Sequence, residues 1–325
     1  MTEPLLNIKD LRTYFVSQKG TRVVKAVDGV SFTLNEGETM GVVGESGSGK
    51  TVTSLSILRL LPAAARIVGG EMWFGGEDLV KKSEKEMQHV RGSQITMILQ
   101  DPLMSLNPLF TIGEQIAEPL RIHRHLHGQP LGNRIKALLR DVRIPSPEVR
   151  MREYPHQMSG GMRQRIVGAI GISCEPRLLI ADEPTTSLDV TIQAQYLNLL
   201  KDIQKRSNLA MIFITHNIGI VAKMCDNVAV MYAGKVVELA PVRTIFNQPA
   251  HPYTEALLNA MPKLTDKTER LWSIEGQPPD LANLPPGCPF SPRCPKAEDR
   301  CHRETPPEFQ VGDQHTTRCW LWERR

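Results

Sequence analysis

The sequence is 325 residues long and has no apolar run that could span a bilayer. Stretches such as Ala210 to Ile214 fall far short of the roughly 20 residues required. The first residues, MTEPLLNIKD, lack a basic segment followed by an apolar one, so no secretory signal is expected. Charge of one sign is not in excess either: 39 Lys and Arg face 35 Asp and Glu, a formal net charge of +4. That near balance argues against a dedicated nucleic-acid binder, which carries a strongly basic face. There is no internal repeat and no heptad run. These absences leave a cytosolic chain whose length allows one large core and a second, small unit. Any membrane role must come through a partner.

Cysteine is scarce until the end. Cys174 and Cys225 sit in apolar helical settings and read as core. Cys288, Cys294, Cys301 and Cys319 crowd the tail, separated by five, six and seventeen residues.

What is present is an alternation of strand-like and helical stretches. Leu5 to Phe15, Val23 to Leu34 and Thr39 to Val43 read as β, and so do Glu71 to Phe74, Ile95 to Leu99, Leu178 to Ala181, Ala210 to Ile214 and Asn227 to Tyr232. Val52 to Leu61 reads as a helix. Val190 to Lys205 is an amphipathic helix with Ile192, Tyr196, Leu199, Leu200 and Ile203 on one face. Residues 111–172 give helical signals broken at "PLG" and "IPSPE", and so form a helical insertion. The alternation predicts an α/β fold with a mostly parallel sheet. After His251, "EGQPPDLANLPPGCPFSPRCP" predicts a loop-dominated appendage.

The most informative stretch is "GVVGESGSGKT", Gly41 to Thr51. Gly44, four residues, then Gly49-Lys50-Thr51 between a strand and a helix is the pattern of a phosphate-binding loop. Glycines let successive N–H groups turn inward as an anion nest, and the helix N-terminus points at the same spot. Lys50 suits the β- and γ-phosphates, and the Thr51 hydroxyl suits Mg²⁺.

Four further pieces accompany it. "RLLIADEP" ends a strand in Asp182-Glu183, the first suited to a water-mediated hold on Mg²⁺, the second to polarising an attacking water. "MSGGMRQR" opens a helix at Ser159, a second anion-binding terminus. Gln100 ends a strand before "DPLMSLNP", where it can reach a metal or a water. "IFITHN" places His216 just past an apolar strand.

Together these motifs resemble the ATP-binding cassette (ABC) proteins over roughly residues 5–245. Gly44, Glu45, Ser46, Gly47, Ser48, Gly49, Lys50 and Thr51 look like the Walker A loop, and Gln100 like the Q-loop. Ser159, Gly160, Gly161 and Met162 look like the signature, with Met162 where Gln is common, a variant that occurs in the peptide-importer branch. Leu178 to Glu183 looks like Walker B with the catalytic Glu, Ser187-Leu188-Asp189 like the D-loop, and His216 like the switch histidine. By resemblance an aromatic near the N-terminus stacks on adenine; Phe15 fits, with Tyr14 as alternative. The implied fold is a P-loop NTPase cassette, with a RecA-like core, an N-terminal antiparallel β subdomain and a helical subdomain. It spans 1–248, with the helical part at about 101–172. A small Cys-rich extension fills 249–325. The resemblance also implies that two cassettes pair head to tail, each ATP lying between one Walker A and the other subunit's signature.

"QDPLMSLNP", "ADEPTTSLDVTIQAQ" and "HPYTEALLNAMP" narrow the resemblance to the dipeptide/oligopeptide importer ATPases, whose relatives also carry nickel, glutathione or antimicrobial peptides. It implies a second, homologous ATPase chain, two transmembrane permease chains and an extracytoplasmic substrate-binding protein, with this chain on the cytoplasmic face of the cell membrane. No coiled-coil or zinc-module insertion marks a DNA-repair cassette, and the single cassette argues against a translation-type one. The tail thiols could bind zinc or an iron–sulfur cluster, and their spacing matches neither usual pattern. The resemblance favours [4Fe–4S] over zinc or free thiols, with a structural role: pinning a Pro-rich segment that cannot build a core.

Overall fold

The computed structural model describes residues 3–17, 20–99, 105–186, 188–261 and 274–323. Among these, β1 (Leu6–Val16), β2 (Val23–Leu34) and β3 (Thr39–Val43) lead into α1 (Lys50–Ile57), β4 (Ala65–Phe74), β5 (Glu77–Asp78), α2 (Glu84–Val90) and β6 (Ile95–Ile98). Helices follow: α3 (Ile112–Arg124), α4 (Gly128–Asp141), α5 (Pro147–Arg150) and α6 (Gly160–Ile172). Then come β7 (Leu178–Asp182), α7 (Val190–Ser207), β8 (Ala210–Thr215), α8 (Ile218–Met224), β9 (Asn227–Tyr232) and β10 (Lys235–Pro241). The chain closes with α9 (Val242–Asn247), α10 (Pro252–Asn259), α11 (Asp299–Arg303), β11 (Phe309–Gly312) and β12 (His315–Thr317). No helix among the described residues is long and apolar enough to cross a membrane.

The chain divides into two compact units. The first comprises Met1–Asn35, Thr39–Lys81 and Phe213–Arg325. Its antiparallel sheet runs β2-β1-β4-β5. β4 begins at Ala65, not at Glu71: the Gly69-Gly70 pair that weakens the strand signal lies inside it, beside a register shift against β1. In the same unit β3 pairs parallel with β9, from Met40 opposite Asn227 to Val43 opposite Val230, and β9 pairs antiparallel with β10. All five residues of β3 are buried, as expected for a parallel strand covered on both faces.

The tail departs from the expected structure-poor appendage. β12 pairs antiparallel with β10 and β11 with β12, so the chain end extends the unit's own sheet. A buried carboxylate anchors it. Glu238 on β10 accepts the backbone N–H groups of Ala250 (2.7 Å) and His251 (2.8 Å), and His315 Nε2 of β12 lies 2.8 Å from it. Trp322 donates to the Ala250 carbonyl (2.8 Å), and Arg22 pairs with Asp280 (2.9 Å). The tail is therefore held to the unit by hydrogen bonds, an ion pair and a shared sheet.

His251 caps α10, its Nδ1 accepting the Tyr253 N–H at 3.0 Å. Burial lowers its pKa to about 4, against the opposing pull of Glu238. The unfolded chain takes up this proton near pH 6.5 and the folded chain only near 4, so stability is present above 6.5 and lost as pH falls towards 4. The slope is about 1.4 kcal/mol per pH unit. His251→Asn keeps a capping side chain and removes the titration. Its urea midpoint is expected to fall less than that of the wild type between pH 6.5 and 5; equal slopes would contradict this role.

The second unit comprises Glu36–Glu38 and Lys82–Ile212. β6 and β7 pair parallel, from Ile95 opposite Leu178 to Ile98 opposite Ala181. The helical block is broken at "IPSPE", where Ser146 takes a left-handed conformation, but "PLG" is no break. Pro130 lies in the first turn of α4, where its missing N–H has no helical partner to lose. α7 buries Tyr196, Leu197, Leu199, Leu200 and Ile203 and stops at left-handed Asn208, while Ile192 on the predicted face is only half-buried.

Candidate functional site

In the first unit, the chain between β3 and α1 folds back on itself. Gly44 has φ 154 and Gly49 has φ 104, and a Cβ at either would meet a backbone carbonyl, of Met231 and of Ala26 respectively. Only glycine fits both positions. Lys50 is buried at the start of α1, and its Nζ donates to the carbonyls of Gly44 (2.8 Å) and Glu45 (2.9 Å). The helix begins at Lys50 rather than Val52, so its N-terminal N–H groups belong to the loop itself. Ser46, Gly47 and Thr51 are exposed, and Ser48 is buried.

Beside the loop is a cleft of about 440 Å³ lined by Phe15, Val24, Ala26, Gly47, Gly49, Lys50, Thr51, Val52 and Leu281. Its wall is apolar and its floor is the glycine loop. Of the two aromatic candidates, Phe15 lines it. The Tyr14 hydroxyl instead donates to Asp28 at 2.6 Å; burial and that bond push its pKa up to about 12. Leu281 was not anticipated, because nothing local in a Pro-rich loop marks a residue that packs across from β2. His216 is exposed just after β8, ahead of Asn217, which caps α8.

Two contacts on Glu45 were also not foreseen. Its N–H donates to the Tyr253 hydroxyl at 2.9 Å, and its carboxylate takes both Nη atoms of Arg293, at 2.6 and 2.9 Å.

In the second unit, Asp182 is buried at the end of β7. Glu183 follows with φ 46, a left-handed conformation that costs a non-glycine residue energy. The Thr186 hydroxyl donates to its Oε2 at 2.9 Å. Ser159 caps α6, accepting the Met162 N–H at 3.3 Å. A Cβ on Gly161 would collide with Ile192, whereas Gly160 faces open space. Asp189 caps α7 through the Ile192 N–H at 2.9 Å. Gln100 and Ser187 lie outside the described residues.

The four tail cysteines line one small apolar cavity together with His251, Phe290 and Trp320, and none is in a disulfide. Burial pushes the thiols of Cys288 and Cys319 up, to about 11 and about 12, and raises that of Cys294. Among the described residues, no group of three or more His, Cys, Asp or Glu is placed to hold a metal ion.

Residues 27–186 match the ABC transporter family, and residues 237–301 match the oligopeptide/dipeptide transporter C-terminal region. The chain is 48% identical to the dipeptide transport ATP-binding protein DppD of Bacillus subtilis, over 99% of this chain and 96% of that one. It is 50% identical to the oligopeptide transport ATP-binding protein OppD of the same organism, over 98% and 88%. Among solved structures, the ATP-binding cassette MJ0796 in a dimeric post-hydrolysis state matches with TM-score 0.65 at 23% identity, over 73% of this chain and 99% of that one. The cassette cbiO1 of Clostridium perfringens matches with TM-score 0.64 at 24% identity, over 76% and 92%. These two carry the fold alone. With full-length identity near one half and both regions matched in order, the chain belongs to the ABC transporter ATP-binding proteins, in the oligopeptide/dipeptide transporter group.

Proposed function

We propose that this chain is the ATP-hydrolysing subunit of an importer for short peptides, driven by nucleotide-dependent closure of a cassette pair. The observation that carries the reading is the closed glycine loop around buried Lys50 beside the Phe15 cleft. Lys50 would exchange its two carbonyl partners for phosphate oxygens, adding an anionic acceptor to bonds that already have a charged donor. The N–H groups of Gly47 to Thr51 would cradle the β-phosphate, and Phe15 would stack on adenine. Thr51 and Gln100 would hold Mg²⁺, with Asp182 acting through water. Glu183 would polarise the attacking water, and His216 would contact the γ-phosphate. Ser159, Gly160, Gly161 and Met162 would meet the nucleotide of a partner cassette, and open space at Gly160 supports this. Ser187 and Asp189 would lie at that interface.

In this reading residues 1–248 are the cassette, with the helical subdomain at about 101–172, and 249–325 a Cys-rich extension. The partners are a second, homologous ATPase, two permease chains and an extracytoplasmic binding protein, the chain lying on the cytoplasmic face of the cell membrane. Cys288, Cys294, Cys301 and Cys319 are the candidates to hold a [4Fe–4S] cluster, zinc being the alternative. All four line one cavity, although no three of them are placed to hold a metal ion in this structure.

Affinity purification from membranes under anaerobic conditions tests both parts. Two permease chains and a second ATPase should copurify, and the chain should carry about four iron with matching sulfide. One zinc per chain without iron would replace the cluster by a Cys₄ site. No metal would leave four ordinary thiols, and recovery without membrane subunits would contradict the importer.

A further inference from the structure

Between Gly44 and Lys50 the loop reads Glu-Ser-Gly-Ser-Gly, so Glu45 is its one side chain longer than serine. That single handle is held at both ends. The Tyr253 hydroxyl accepts its N–H, and the Arg293 fork grips its carboxylate in two parallel bonds of 2.6 and 2.9 Å. Arg293 has no slack of its own. Its side chain is 4% exposed, and its other contacts run to the carbonyls of Glu275 (3.0 Å) and Ile274 (3.3 Å) and to the Tyr232 hydroxyl (3.3 Å).

Arg293 ends the tight turn Ser291–Arg293, which lies between Cys288 and Cys294. Ser291 donates its N–H to the Cys288 carbonyl, and Cys294 donates its own to Ser291. Phe290, at the head of that turn, packs edge-on against Tyr232 and tilted against Tyr253, with ring centroids 5.2 and 5.3 Å away. The wall of the cysteine cavity and the first residue after Gly44 are thus joined by one continuous set of side chains.

We propose that Arg293 is a positioning residue for the phosphate-binding loop, and that through Glu45 the C-terminal extension sets how tightly the chain holds nucleotide. The inference rests on reading Gly44 to Thr51 as an ATP loop. A loop of glycine and serine loses backbone entropy at every residue that is ordered on binding. Fixing Glu45 beforehand removes part of that cost from the binding step. A salt bridge that merely ties the tail down would change stability and leave nucleotide affinity alone.

The test is equilibrium titration of the full chain with MANT-ATP and Mg²⁺, alongside hydrogen exchange of the nucleotide-free loop. Glu45→Gln and Arg293→Met should each weaken MANT-ATP binding about tenfold, the lower end for a hydrogen bond to a charged group. The double variant should stay near tenfold rather than a hundredfold, because both changes remove one interaction. Arg293→Lys keeps the charge without the fork and should fall between. Loop amides should exchange faster in each variant. Binding within twofold of wild type in Glu45→Gln, or multiplying effects in the double variant, overturns the proposal. Should Arg293→Met fail to fold, Glu45→Gln decides alone, since it leaves the other Arg293 contacts in place. Lys50→Ala, run in parallel, separates the two readings. If it binds like wild type, the ATP loop itself is misread; if it is weakened and Glu45→Gln is not, only the strut fails.

Discussion

Glu183→Gln is expected to leave ATP binding intact and to slow hydrolysis by roughly 10²–10⁴, the range for losing a positioned general base. The amide is nearly isosteric and cannot take a proton from water. The backbone at φ 46 and the Thr186 hydroxyl both aim this side chain, so its chemistry can be removed without moving it. With hydrolysis blocked, the paired cassettes should accumulate closed around ATP, visible as a nucleotide-dependent dimer in size-exclusion chromatography. Single-turnover hydrolysis within tenfold of the wild-type rate would take the general-base role away from Glu183.

Lys50→Ala should act a step earlier, on binding itself. A charge-assisted bond to phosphate is worth about 1.5–3 kcal/mol, so affinity should fall roughly 10- to 100-fold. Part of that loss arises within the protein, because Lys50 also holds the carbonyls of Gly44 and Glu45 and so shapes the loop itself. The loss should therefore extend to ADP as well as ATP. Isothermal titration with both nucleotides checks this; undiminished affinity for either would contradict the role of Lys50.

Much of this site lies in one contiguous stretch and could be read there. β2, β3 and β9 fall on their expected residues, because short runs rich in β-branched and apolar residues bounded by turn residues announce themselves locally. The glycine loop was legible because glycine at Gly44 and Gly49 is required by contacts that no other residue survives. What escaped is short or distant. α2 is seven residues long and mostly polar, and only its capping box, Ser83 with Glu86, could have revealed it. β11 and β12 are strands of four and three residues, and β12 pairs with β10 more than seventy positions earlier. Arg293 and Glu45 are 248 residues apart, and neither carries a local mark of the other. α3 runs through Pro119, as the unbroken helical reading of that stretch expects, with Ile112, Ile116, Ala117 and Leu120 buried.

ATP hydrolysis by this chain should drive peptide uptake, and transport in a sealed system reads that coupling. The copurified complex is reconstituted in proteoliposomes with its binding protein and a radiolabelled di- or tripeptide mixture, ATP being placed on the side of this subunit. Peptide should accumulate against its gradient only with Mg²⁺ and ATP, and Glu183→Gln should abolish accumulation while ATP stays bound. Accumulation that persists in Glu183→Gln, or ATP turnover with no peptide moved, would contradict the account.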